Sequence, residues 1–238
     1  MLDPYSKLLR KLDRPPSGPN WVRFIQEDPL QTAREIWSFV RGRPPFTYGP
    51  SYRILKDRIE LGIDPDTARL AASTKGAPIG RVHNREFVDA FLEYESHRQY
   101  SASSHIGFET EYFRISRDIV VPIAPLSVIR ERGRFVPIFV CGWSTNPLRL
   151  RQRRLLMTIY EDAFLSITDF QSSPAEILFF PKFDSQREAE PWLRGDYDLL
   201  PQSELDECVE IFLEARELVR RRIIEERDSV RPTEYPDE

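Results

Sequence analysis

The hydrophobic period of this chain changes near residue 105, and that change constrains the fold more than any other feature. Upstream, apolar residues recur at helical spacing: Ile36, Phe39 and Val40 in one stretch, Phe87, Phe91 and Leu92 in another. Downstream, FETEYFRI alternates, with Phe108, Thr110, Tyr112 and Arg114 on one face. A period of 3.6 is that of a helix and a period of 2 that of a strand. A chain that keeps the two in separate blocks packs helices against a sheet.

The punctuation supports this division. Asp28 before Pro29 and Asp64 before Pro65 are N-cap and first-turn pairs, each opening a helix. RPPSGP and RPPFTYGP read as loops, PSYRILKDRIELG as a short helix, and Asn84 as the cap of REFVDAFLEYESHRQY. IVVPIAPLSVI is almost wholly apolar, as in a strand covered on both faces, but Pro122 and Pro125 require a bend or bulge. Arg130 to Gly133 suits a hairpin turn with Gly133 at a positive φ, and FVPIFVCGW follows as the next strand. Asn146 and Pro147 open a helix running to about Leu165, and AEILFFPK reads as one more buried strand.

Segments 108–115, 119–129, 134–142 and 175–181 are therefore expected to form one sheet, with helix 146–165 as a crossover. A last helix, about Ser203 to Arg227, is expected to cover a face. The fold class is α/β (α+β): a central mixed four-stranded sheet flanked by helices, with an N-terminal all-helical region. The expected boundaries are 1–83 for that helical region, 84–227 for the α/β core and 228–238 for a disordered acidic tail.

Composition narrows the function classes. Hydrophobic residues make up 40% of the chain, enough to build a core. The net charge of −4 argues against a protein held on nucleic acid by bulk charge, so any such contact must rest on a local patch. Of the basic residues, 29 are arginine and 5 lysine, which fits either codon bias or selection for guanidinium forks. Cys141 and Cys208 form no CxxC pair, and a reducing cytoplasm is the expected location. Neither a signal-type apolar stretch nor a membrane-length apolar run is present, so no membrane contact is expected. No cofactor motif is present either. GAPIGRVHN lacks the lysine of a phosphate loop, and Ser127, Ser144 and Cys141 lack a nucleophile-elbow context.

From Asn84 the order is helix, three strands, helix, strand, helix. That order resembles the PD-(D/E)XK nuclease superfamily, over roughly residues 84 to 182. The resemblance implies a glutamate on the helix, an aspartate on the second strand and an acid-x-lysine pair on the third, together holding divalent metal. Glu93 or Glu95 matches the helical glutamate. Pro125 or Leu126 stands where the aspartate belongs, and Asp118 is too early for that register. Neither Val140 to Gly142 nor Cys141 to Trp143 supplies an acid or a lysine. Gln152 and Tyr160, at the family's glutamine and tyrosine, are two turns apart instead of one. The resemblance thus implies a nuclease-like scaffold with a degenerate active site.

Two other groups carry chemistry. Arg149, Arg151, Arg153 and Arg154 crowd the start of a helix, where the dipole favours anions, and form the candidate nucleic-acid contact or a solvated face. Glu93, His97, His105, Glu109 and Glu111 are candidate metal ligands or an ordinary polar loop and strand face. Trp143 and Trp192 are stacking residues or core packing.

The sequence points to a non-catalytic nuclease-like domain that binds nucleic acid or a nucleic-acid-processing partner in a bacterial or phage system. Alternatives are a protein-interaction, inhibitor or accessory module with no nucleic-acid contact, and a metal-dependent hydrolase with an unusual site. The sequence leaves the oligomeric state open.

Overall fold

The computed structural model describes residues 3–100 and 105–230. Six helices come first: α1 (Pro4–Leu12), α2 (Gly18–Phe24), α3 (Pro29–Arg41), α4 (Gly49–Leu61), α5 (Pro65–Thr74) and α6 (Arg81–Arg98). Their starts follow the expected chemistry. The Asp28 carboxylate accepts the Gln31 amide at 2.8 Å, and Asp64 accepts those of Thr67 and Asp66 at 2.9 and 3.1 Å. Asn84 behaves differently. It lies inside α6, 1% exposed, where its amide donates to Gly80 O at 2.8 Å and its Oδ1 accepts from Ser51 Oγ at 2.5 Å. A buried amide needs partners for both ends, and α4 supplies one of them.

The strands are β1 (Glu111–Arg114), β2 (Val120–Ile123), β3 (Ser127–Glu131), β4 (Arg134–Cys141), β5 (Glu176–Phe179), β6 (Lys182–Phe183), β7 (Gln186–Arg187) and β8 (Glu190–Leu193). α7 (Leu150–Tyr160) connects β4 to β5 and continues into a π-helical turn, Glu161–Leu165; α8 (Gln202–Val230) closes the chain. A mixed four-stranded sheet is present, in the order β3-β4-β5-β8. β4 and β5 are parallel, joined through α7, and the other two pairs are antiparallel.

Its membership corrects the sequence expectation in three places, the first being that segment 108–115 contributes only β1, which lies outside this sheet. Segment 119–129 splits at Ala124 to Leu126. Val120–Ile123 pairs with β1 in a separate two-stranded sheet, and only Ser127–Glu131 joins the main one. Pro125 lies in the break, where it has no amide proton to offer a ladder. The fourth place is taken by β8, within what reads as a polar acidic loop. One large residue, Trp192, 3% exposed, anchors it.

The helix after Pro147 starts at Leu150, because the Asn146 side chain accepts the Leu148 amide at 3.4 Å and holds a turn there. The proposed acidic tail, 228–238, is helical to Val230, and its remainder lies outside the described residues.

The chain divides into two compact units that interleave along the sequence. One comprises Met1–Arg43, Tyr112–Pro122 and Leu199–Glu238, the other Pro44–Glu111 and Ile123–Asp198. In the first, α8 packs on α1 and α3, and Trp21, 0% exposed, meets Phe113 and Phe212 with ring centroids 5.6 and 5.7 Å away. Phe113 is on the face opposite the row containing Tyr112 and Arg114, so that row is the outer side of β1. Lys11 Nζ donates to the carbonyls of Phe39, Val40 and Gly42 and so closes the C-terminus of α3.

In the second unit, Phe87, Val88 and Phe91 of α6 pack with Ile129, Val136, Ile138, Leu178 and Phe180. Burying each such side chain contributes roughly 1.5–3 kcal/mol. On the other face of the sheet, Phe139 stacks on Tyr160 of α7 at 4.2 Å. Among the described residues no helix is long and apolar enough to cross a membrane.

Candidate functional site at the ends of the parallel strands

β4 and β5 end side by side, with Cys141 opposite Phe179. Ligand sites in α/β sheets collect at the carboxyl ends of parallel strands. In this protein a buried cation fills that space.

The cation arrives on a hairpin. Lys182 pairs with Arg187 across β6 and β7, and the two residues between the strands, Asp184 and Ser185, have φ of 46° and 73°. Positive φ at both central positions makes the tight turn whose twist matches a hairpin. The Arg187 side chain, 1% exposed, points back beneath the strand ends. Its Nη1 donates to Gly142 O at 3.0 Å, Phe180 O at 3.1 Å and Trp143 O at 3.4 Å, and its Nη2 donates to the Tyr48 hydroxyl. The guanidinium lies over the rings of Tyr48 and Phe87, with centroids 5.0 and 5.7 Å away.

The strand end is closed from the other side as well. The Gly142 amide donates to the Tyr52 hydroxyl at 2.9 Å. Burial, and then the neighbouring Cys141, pushes the Tyr52 phenol well above its ordinary value, so it stays protonated. Gly142 is required by contact: a Cβ there would lie 2.6 Å from Phe87 Cε1.

A half-buried acid completes the group. Glu86 Oε2 lies 2.7 Å from Lys182 Nζ, 3.6 Å from His83 Nδ1 and 4.0 Å from Arg187 Nε. One carboxylate faced by a lysine, an arginine and a histidine is an electropositive setting, the reverse of what a divalent cation needs. Val140 to Trp143, where the resemblance would put an acid and a lysine, touches a guanidinium and a neutral phenol.

The four arginines of α7 have separate duties. Arg149 is the N-cap and exposed, and Arg151 is half-buried. Arg153 is held in place: Nε donates to Leu148 O and Nη1 to the Tyr197 hydroxyl, both at 2.9 Å, and the guanidinium lies 5.1 Å from the Trp192 ring centroid. Arg154 Nε donates to Asp198 O at 3.2 Å.

The metal candidates do not converge. Glu93, His97, His105 and Glu109 are exposed and Glu111 half-buried, and His97 Nδ1 is 2.9 Å from Glu93 O, a bond within its own helix. Among the described residues no three His, Cys, Asp or Glu side chains come together as a metal site.

Arg187, Glu86 and Lys182 stand in no motif of the sequence. The only local signal was the Asp184-Ser185 turn between short polar segments; the convergence itself is tertiary. No family model, no curated protein and no solved structure matches the chain.

Proposed function

We propose that this chain is a non-catalytic, nuclease-like module that binds nucleic acid or a nucleic-acid-processing partner in a bacterial or phage system. The observation that carries the reading is Arg187. A guanidinium bonded to three backbone carbonyls occupies the strand ends where the nuclease resemblance would put a metal. Removing it would strand those carbonyls, so it is a fixed part of the core. A fixed charge there repels a second cation.

Anisotropy titration of labelled single-stranded and duplex oligonucleotides, over a range of salt, tests the reading. Binding that weakens linearly in log–log form as salt rises supports it. No binding of either at low salt would sink it and leave the second reading, a protein-interaction, inhibitor or accessory module without nucleic-acid contact. The observation favouring that second reading is the α7 arginine group, where Arg153 and Arg154 serve the fold.

A further inference from the structure

At the opposite end of the sheet, the β3–β4 hairpin borders a cleft of about 800 Å³ lined by Arg98, Glu131, Arg132, Arg134 and Pro174. That volume is in the range of small-molecule sites. We infer that this cleft binds the phosphate group of a nucleotide, free or within a strand, with Arg132 and Arg134 as the contacting forks. The inference rests on the nucleic-acid reading above.

Behind the lining residues Arg98 and Glu131 lies a network of hydrogen bonds. Glu176, 3% exposed, accepts Arg98 Nε at 2.6 Å, the Tyr100 hydroxyl at 2.7 Å and the Tyr94 hydroxyl at 3.2 Å. Arg98 also grips Glu131 with both terminal nitrogens, at 3.1 and 2.7 Å. Hydrogen bonding to Glu131 is the largest reason its guanidinium is held above the ordinary arginine range. Three of its five N–H donors are thereby committed. Arg98, Glu131 and Glu176 together carry one net negative charge, and it is buried or paired.

The lip is different. Arg132 and Arg134 are exposed, and among the described residues neither side chain has an ion pair or a hydrogen bond. They make the cleft net positive. Two guanidiniums with unspent forks at the edge of a preorganised cleft match a phosphate, which takes bidentate donors.

The backbone supplies an independent argument. Arg132 and Gly133 are the two central residues of the hairpin turn, with φ of 48° and 81°. This turn strongly favours Asn-Gly, Asp-Gly or Gly-Gly, and a long side chain at the first position is held at a conformational cost. Among the described residues no hydrogen bond or ion pair of the Arg132 side chain offsets that cost.

The choice of turn residue also gives a clean test. The variant R132N/R134Q places Asn-Gly in the turn, so it should fold as well as the parent or better, which thermal unfolding checks. Anisotropy with a labelled single-stranded oligonucleotide should then show affinity down roughly tenfold or more, the scale of a lost charged hydrogen bond. The log–log salt slope should fall by about 0.7, the single-strand value for one phosphate. Competition by a nucleoside monophosphate on the parent separates the two ligand sources. Displacement near stoichiometric nucleotide identifies a free nucleotide, and resistance to it identifies a strand. If the folded variant keeps the parent's affinity and slope, the cleft is not the site, although the nucleic-acid reading survives. If the parent itself binds neither probe, both fall together.

Discussion

Arg187 Nη1 lies 3.0 Å from the Gly142 carbonyl oxygen, and the Gly142 amide in turn donates to Tyr52 at 2.9 Å. One residue at the end of β4 is thus clamped through both of its backbone polar groups. The partners come from α4 and from a hairpin more than forty residues downstream. The clamp satisfies buried backbone groups and occupies the strand ends.

Arg187→Ala should therefore destabilise the protein by about 2–4 kcal/mol, since up to three carbonyls and a phenol lose a charged donor in a dry site. Arg187→Lys should recover little, because one ammonium cannot span that set of acceptors. Urea unfolding midpoints check both. A loss under roughly 0.5 kcal/mol for the alanine variant, the size of an ordinary surface substitution, would show the side chain to be incidental.

Gly142→Ala should cost about 1–3 kcal/mol through overpacking. The added carbon would sit 2.6 Å from a ring that is 0% exposed, so neither side can yield freely. A neutral result in the same unfolding assay would mean that Phe87 moves aside.

How far the sequence reached depends on whether a feature is local. The caps at Asp28 and Asp64 and the positive φ at Gly133 depend on neighbours a few residues away. β8 was hidden because a four-residue strand with one buried tryptophan has no period to read. The break at Ala124 to Leu126 was signalled by Pro125 as a bend, but its consequence, two strands in two sheets, depends on pairing at long range. The α7 arginines were visible as charge. Only the fold shows that Arg153 is spent on Tyr197 and Leu148 O. Arg187, a single arginine in QREAE, carried no sequence mark of its burial.

Arg98→Met should be among the most damaging single changes in the second unit, at about 3–5 kcal/mol, because it leaves the buried Glu176 carboxylate with no cation. Adding Glu176→Gln to Arg98→Met removes the stranded charge and should restore part of the loss. If the double variant is no more stable than Arg98→Met alone, the cost comes from packing and not from the uncompensated carboxylate.

Tyrosine ionisation should be delayed in the native state. Burial, and then the charge of Glu176, pushes the Tyr94 phenol up to about 12, and Tyr52, Tyr100 and Tyr160 are also raised, burial being the first cause in each. A folded value above the unfolded one contributes stability that is present below about pH 10 and lost as pH rises toward 12 and beyond. Phenolate absorbance should show these tyrosines silent at the pH where the denatured chain titrates, with unfolding midpoints falling across that window. Full native titration near pH 10 would contradict the burial of these four rings.

Binding without cutting is tested by one gel. End-labelled single-stranded and duplex oligonucleotides are incubated with the protein in magnesium or manganese at low salt, crosslinked lightly, and run under denaturing conditions. A non-catalytic binder gives a shifted, crosslinked band and an uncleaved remainder in either metal. Metal-dependent shortening of the label that disappears with Glu93→Ala would contradict it, and would mean that the chemistry lies away from the strand ends that Arg187 fills.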